Sequence, residues 1–309
     1  MKPLHIETPT WESRPLSKTL GHKVLMKMDA LQPTGCFKIR GVGHACQTYC
    51  SKGAKSLVSS SGGNAGLAVV YSGQKLGVPA KVFVPQSTSP WMRRLIEREG
   101  GIVIEHGAAW DDAHAHAVKI AKDEGAAYIH PFDDPLIWEG HTSMIKEAAR
   151  DGDKPEAVVL SVGGGGLLCG VLEGLHRVGW ADVPVITVET EGAASFAKSV
   201  EAGRLMTLDA IRSIATTLGA RTVTAEALSW TQRHTILPWV VSDRAALNAC
   251  FRFLDDHRIL VEPACGAALA AVYDRAEPLL QYKNVLVIVC GGAGVNLELF
   301  REWDTKLAG

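Results

Sequence analysis

The sequence predicts an α/β protein made of two open, mostly parallel lobes. Three observations lead there. Short apolar runs rich in β-branched residues alternate with stretches of helical periodicity, the pattern of strand–helix–strand units around parallel sheets. Glycine-rich runs follow three of those apolar runs, in SSSGGNAG (59–66), SVGGGGLL (161–168) and VIVCGG (287–292). A chain of 309 residues also exceeds a usual single core, so two lobes of roughly 100–200 residues are expected.

Taken in order, strands are expected at 23–28, 56–59, 81–85, 102–105, 127–130, 157–162, 185–189, 239–242 and 285–290. The Ala-rich stretch 64–76 reads as a helix stopped by Gly77. Ser89 and Pro90 supply an N-cap and a first-turn proline for a helix reaching Glu99, ahead of Gly100 and Gly101. Further helices are expected at 243–256 and 264–280, the second opened by Glu262 and Pro263. The run HPFDDPLIWEG (130–140) carries two prolines and acidic turn residues, which suits a crossing between lobes. Residues 38–132 would then form a small domain, and 1–37 plus 133–309 a discontinuous large one. Ligands of open α/β sheets bind beyond the carboxyl ends of strands, so the glycine runs should converge on the interlobe cleft.

Composition narrows the function. Hydrophobic residues make up 47% and charged residues 21%, with a formal net charge of −1 and no polybasic run. Nothing here calls for a nucleic acid or an acidic membrane surface as partner. No apolar run approaches membrane-spanning length, and MKPLHIETPTW lacks the apolar core of a secretion signal, so a cytoplasmic location is expected. The seven cysteines form no CxxC pair. Cys46 and Cys50 share a helix face and read as buried small hydrophobes rather than metal ligands. His114 and His116 lie two apart on an expected helix, so they diverge, and a solvated surface pair is expected.

Lys38 lies in GCFKIRG (35–41), flanked by Phe37 and Ile39. Partial burial there would favour the neutral, nucleophilic amine. Gly163, Gly164, Gly165 and Gly166 follow an apolar strand and precede a helix, so their amides can cradle a phosphate. A plain tight turn is the alternative. A dinucleotide site is another, because Glu189 ends the next strand at a suitable distance for a ribose. Its GxGxxG spacing fails, with the third position falling on Leu168 or Cys169. Asn64 could donate to a phenolate oxygen or merely cap its helix, and Cys290 could face a ring nitrogen or be a core thiol. Together these runs supply an imine-forming amine, an amide-bearing turn, a phosphate cradle and a neutral ring-nitrogen partner. A protein that uses pyridoxal phosphate as an electron sink needs those parts.

The same runs, with KMDALQPTGCFKIRG, FDDPLIWEGH, VGWADVPVITVET and ILVEPACGAALAAVY, resemble the fold type II pyridoxal-phosphate enzymes along nearly the whole chain. The likeness is to the serine/threonine dehydratase branch, nearest its short animal-type L-serine dehydratases. It implies a tryptophan synthase β-like fold with the cofactor in the interlobe cleft, bound mainly by the large domain. By that resemblance Lys38 would form the imine with the cofactor, Phe37 would pack on its ring and Asn64 would bond its phenolic oxygen. Gly163, Gly164, Gly165, Gly166 and Leu167 would bind the phosphate, and Cys290 would face the pyridine nitrogen. Ser61, Gly62, Asn64 and Ala65 would surround the substrate carboxylate. A monovalent, potassium-like cation would sit among Gly163, Glu189, Ala193, Ser195, Leu218 and Ala220.

Two departures stand out. Gly62 replaces the alanine or serine of related dehydratases, which suggests a roomier active-site floor. GGAGVN after Cys290 is a little longer than in the animal enzymes. The resemblance implies a homodimeric lyase turning L-serine, and L-threonine, into a 2-oxo acid and ammonia, without a C-terminal regulatory extension. The alternatives are a dehydratase for bulkier substrates such as phenylserine, a β-replacement synthase, and a non-catalytic binding protein. Racemisation is expected to be slow, because Gly62 offers no hydroxyl on the face opposite Lys38.

Overall fold

The computed structural model describes residues 1–308. In chain order its elements are β1 (Thr10–Glu12), α1 (Arg14–Leu20), β2 (Lys23–Lys27), α2 (Lys38–Ser51), β3 (Leu57–Ser59), α3 (Asn64–Leu76), β4 (Ala80–Val84) and α4 (Pro90–Arg98). There follow β5 (Ile102–Glu105), α5 (Trp110–Glu124), β6 (Ala127–Ile129), α6 (Pro135–His141), α7 (Ser143–Asp151), β7 (Ala157–Ser161), α8 (Gly166–Arg177), β8 (Val185–Thr190) and α9 (Ser195–Ala202). The chain closes with α10 (Ala225–Ser229), β9 (Ile236–Val241), α11 (Asp243–His257), α12 (Pro263–Tyr273), β10 (Asn284–Ile288) and α13 (Leu297–Ala308).

Two compact units result. One holds Met1–Ile6 and Gln32–His141; the other holds Glu7–Leu31 and Thr142–Gly309. The first contains a parallel sheet in the order β5-β4-β3-β6. The second contains β1-β2-β10-β7-β8-β9, parallel throughout except for β1 against β2. Every residue of β7 and β8 is buried, as expected of central parallel strands covered on both faces. Both sheets end in turns at their carboxyl edges, where the glycine runs lie.

Three local departures have simple causes. β1 is three residues long, TWE, with one half-buried and two exposed side chains, so it has no apolar pattern to read. α12 stops at Tyr273 instead of running to 280, because Arg275 takes the left-handed φ of +55°. The crossing segment is partly helical: Asp134 accepts from the amide of Leu136 through its carboxylate at 2.8 Å and from Ile137 through its carbonyl at 2.9 Å, opening α6. Between the expected limits at 38 and 132 and the unit limits at 32 and 141, the difference is the approach to α2 and the whole of α6.

In the second unit, fully buried Lys27 pairs with Glu147 at 2.7 Å and donates to the carbonyl of Thr8 at 2.5 Å. The Thr8 hydroxyl donates to buried Asp29 at 2.7 Å. This polar knot ties the N-terminal segment to α7. No helix among the described residues is long and apolar enough to cross a membrane.

Candidate active site

In the first unit Lys38 is the leading residue of α2, half-buried, with its amine 2.8 Å from the carbonyl oxygen of Pro131. The amine lies 5.1 Å from the centroid of the Phe37 ring. On the other side, Phe37 meets the imidazole of His141 at 5.0 Å. His141 is fully buried, and neither ring nitrogen has a hydrogen-bond partner among the described residues. Burial first, then the positive charges of Lys38 and Arg40, holds this imidazole well below the usual histidine range, so it is neutral.

β3 ends in Ser59, and the chain turns through Ser60, Ser61, Gly62 and Gly63 before α3 opens at Asn64. The turn is tied by its own hydroxyls: Ser61 N–H donates to Ser59 Oγ at 3.3 Å and Gly63 N–H to Ser61 Oγ at 3.4 Å. Asn64 and Ala65 are buried, while Ser61, Gly62 and Gly63 stay half-exposed. Gly66 is required sterically, since a Cβ there would lie 1.9 Å from the Ser61 carbonyl oxygen. Ser61, Gly62, Asn64 and Ala65 are thus brought together on one turn at a strand's carboxyl end.

The roomier floor expected at Gly62 is corrected. A Cβ on Gly62 would lie 2.6 Å from Thr88 Cγ2 and 2.8 Å from Thr88 Oγ1. The side chain of Thr88 takes the space, and a hydroxyl does stand there. Slow racemisation therefore no longer follows from Gly62 alone.

A second network escaped the sequence. The Tyr128 hydroxyl lies 2.7 Å from Ser60 Oγ and 2.7 Å from His114 Nδ1. His114 stacks on Trp110 at 4.7 Å, whereas His116 stacks on His106 at 3.9 Å. The two histidines do diverge, but both are packed rather than simply solvated. His130 Nδ1 accepts from the amides of Asp133 at 2.7 Å and Phe132 at 3.2 Å. Burial, helped by His114 and Lys38 and opposed by Asp133, lowers His130 to about 4. Only an aromatic–histidine spacing across α5 and β6 hinted at this cluster.

In the second unit, β7 delivers the chain to the glycine turn and α8 begins at Gly166. Gly165 has φ +92°, and a Cβ on it would lie 2.7 Å from Ala227 Cβ and 2.8 Å from Val223 Cγ2. A Cβ on Gly163 would come within 3.1 Å of the Leu218 backbone. The Gly164 carbonyl accepts from the Thr224 amide at 3.0 Å. Side chains are crowded out at 163 and 165, and backbone N–H groups are presented at the head of a 12-residue helix. Leu167 is buried in its first turn.

Glu189, at the end of β8, accepts from the amides of Phe196 at 2.9 Å and Ala197 at 2.7 Å. Its carboxylate therefore sits at the head of α9, occupied as a dinucleotide ribose partner would not be. Burial pushes Glu189 up to about 7 despite those two bonds. Ser195 is fully buried and its Oγ has no hydrogen-bond partner among the described residues. Ala193 and Leu218 are buried, and Ala220 N–H donates to the Leu218 carbonyl at 2.8 Å.

Cys290 follows β10 and is buried. The turn after it is fixed by Glu262: a Cβ on Gly292, φ +136°, would lie 2.0 Å from the Glu262 carboxyl carbon. Glu262 in turn accepts from the Thr217 hydroxyl at 2.5 Å. All seven cysteines are free thiols, and burial raises the Cys46 and Cys250 pKa values above the ordinary range. No cluster of three or more His, Cys, Asp or Glu suited to a metal occurs among the described residues.

These residues fit pyridoxal phosphate. In the second unit the glycine turn offers backbone N–H groups at the head of α8, with a Cβ crowded out at Gly163 and Gly165, and Cys290 offers a thiol; in the first unit Lys38 offers a primary amine beside an aromatic ring. The family described as "Pyridoxal-phosphate dependent enzyme" matches residues 1–291. The L-serine dehydratase/L-threonine deaminase of Homo sapiens is 48% identical over 316 residues, covering 99% of this chain and 96% of its own length. The structure of a fungal L-serine ammonia-lyase from Rhizomucor miehei superposes with a TM-score of 0.93 at 36% identity, over 99% of each chain. A maize serine racemase reaches 0.90 over 99% of this chain and 94% of its own, but at 23% identity that likeness shows the fold alone. The chain belongs to the pyridoxal-phosphate dependent enzymes of fold type II, with pyridoxal phosphate as its cofactor.

Proposed function

We propose that this enzyme is an ammonia-lyase that converts L-serine, and L-threonine, into pyruvate or 2-oxobutanoate and ammonia. The observation that carries the reading is Lys38, an amine at the head of α2 beside Phe37, in a chain 48% identical to a serine dehydratase over 99% of its length. The discontinuous large domain would contribute most of the cofactor contacts.

When bound, pyridoxal phosphate supplies a conjugated sink for the electron pair left on the substrate Cα. The protein does the rest. Amides of Gly163, Gly164, Gly165, Gly166 and Leu167 would hold the phosphate, and Asn64 would donate to the phenolic oxygen. Phe37, backed by neutral His141, would pack on the ring. Ser61, Gly62, Asn64 and Ala65 receive the substrate carboxylate. Lys38 would hold the cofactor through its amine and, as a free amine, would take up the proton from the substrate Cα. Cys290, a thiol rather than a carboxylate, would face the ring nitrogen without a charge to hold a proton there, and the β-hydroxyl would leave as water by taking up one proton, which balances the one lost from Cα. The released enamine hydrolyses to the 2-oxo acid and ammonia. Glu189, Ser195 and the carbonyls of Gly163, Ala193, Leu218 and Ala220 would bind a potassium-sized cation.

A homodimer in the cytoplasm completes the proposal. Seven free thiols suit a reducing compartment, and gel filtration tests the dimer. The decisive experiment records visible absorbance and 2-oxo acid formation from L-serine, with and without an added thiol. Pyruvate without thiol supports the dehydratase, and a thioether product would favour β-replacement. Lys38→Ala should abolish both the visible absorbance and turnover while circular dichroism stays unchanged. Activity retained with bound cofactor would move the role to another lysine.

A further inference from the structure

β3 and β4 are hydrogen-bonded parallel neighbours, with Ser59 opposite Val82. The turn after β3 and the loop after β4 therefore leave the same edge of the sheet. Ser59, Ser60 and Val84 are completely buried there, while Ser61, Gly62, Gly63 and Thr88 remain half-exposed. A small molecule held by the turn would meet this half-exposed rim, beyond the strands' carboxyl ends.

On that rim Thr88 stands where a side chain of residue 62 would be. A Cβ on Gly62 would lie 2.6 Å from Thr88 Cγ2, 2.8 Å from Oγ1 and 3.1 Å from Val84 Cγ1. The loop carrying Thr88 is braced. Its amide donates to the Pro85 carbonyl at 3.0 Å, and Arg93 donates to the carbonyls of Thr88 at 2.9 Å and Gln86 at 3.2 Å. Arg93 is itself paired with Glu105. Rotation of the threonine side chain is thus its cheapest means of retreat.

We infer that Thr88 is a specificity-determining residue. Its side chain replaces the missing one at Gly62 and, by its volume, limits the β-substituent that the substrate can carry. The inference rests on reading 61–65 as the carboxylate site of an ammonia-lyase. It makes glycine at 62 and threonine at 88 one paired solution: a small residue on the turn and a branched one above it.

The test compares holoenzymes of wild type, Gly62→Ala, Thr88→Ala and the double variant by thermal unfolding. Overpacking against Thr88 should make Gly62→Ala lower Tm by about 3–8 °C in the wild-type background. In the Thr88→Ala background the same change should cost clearly less. Thr88→Ala should also raise the kcat/KM ratio for L-phenylserine over L-serine by about tenfold, the scale set by one or two buried carbon-sized groups. Thr88→Val keeps both γ atoms and should hold the wild-type ratio. An equal Tm cost in both backgrounds would overturn the contact. An unchanged ratio in Thr88→Ala, or an equal shift in Thr88→Val, would overturn the selective role of its volume. Failure of wild type to form a 2-oxo acid from either amino acid sinks the ammonia-lyase reading instead, and is seen before any variant is compared.

Discussion

At the scale of single residues, Glu189 shows how burial and function pull on one carboxyl. Removed from water, and accepting from two amides, it is protonated up to about 7. Its folded value is raised, so the stability it contributes is fully present below about 4.5, the ordinary carboxyl value, and is lost as pH rises through about 7. A bound monovalent cation would offset that loss, because only the ionised form attracts it. Potassium should therefore raise Tm more at pH 8 than at pH 5.5. Glu189→Gln should abolish the difference, and an unchanged potassium response in that variant would remove Glu189 from the cation site. The sequence singles out Asn64, Glu189 and the four glycines as candidates because they follow apolar strands, and Lys38 because Phe37 and Ile39 flank it between two glycines. It could not expose Thr88, whose partner at Gly62 is reached only through the pairing of β3 with β4.

At the scale of elements, α5 and β6 brace the turn that follows β3. Tyr128 brings its hydroxyl to Ser60 and His114 at the same 2.7 Å, and Ser60 is completely buried. Burial raises Tyr128 to about 12, and burial also lowers His114, so the bridge is between neutral groups. Tyr128→Phe leaves Ser60 and His114 only a 3.5 Å contact with each other. It should cost about 1–3 kcal/mol of stability and, if the turn holds the carboxylate as proposed, raise KM for serine more than it lowers kcat. Ser60→Ala should cost little more when added to Tyr128→Phe than the latter costs alone. Additive losses, or an unchanged KM, would mean that the network does not hold the turn. Elements with strong periodicity, such as α3 at Asn64–Leu76, were legible to the residue. β1 was not, being too short for a pattern, and α12 ended early through backbone conformation rather than composition.

At the scale of the whole molecule, alternation of strands and helices identified the fold class but not the strand order. β10, last in the chain, lies between β2 and β7, and no local signal tells a terminal strand to insert there. The division of the first 31 residues is equally long-range: Met1–Ile6 belongs to one unit and Glu7–Leu31 to the other. What holds the second group in place is the buried set of Lys27, Glu147, Thr8 and Asp29. A lone charge left in such a place is costly, whereas an ion pair replaced whole by apolar groups is often tolerated. Lys27→Met should accordingly destabilise the protein by about 3–5 kcal/mol in urea unfolding. Adding Glu147→Leu should restore part of that loss but not all. Glu147 also accepts from the Thr8 amide at 3.2 Å, and Lys27 donates to the Thr8 carbonyl, so the double variant takes a hydrogen bond from each of these backbone groups. A loss below about 1 kcal/mol for Lys27→Met, on the scale of an exposed pair, would show that water reaches the cluster and that the N-terminal segment is held by its strand pairing alone.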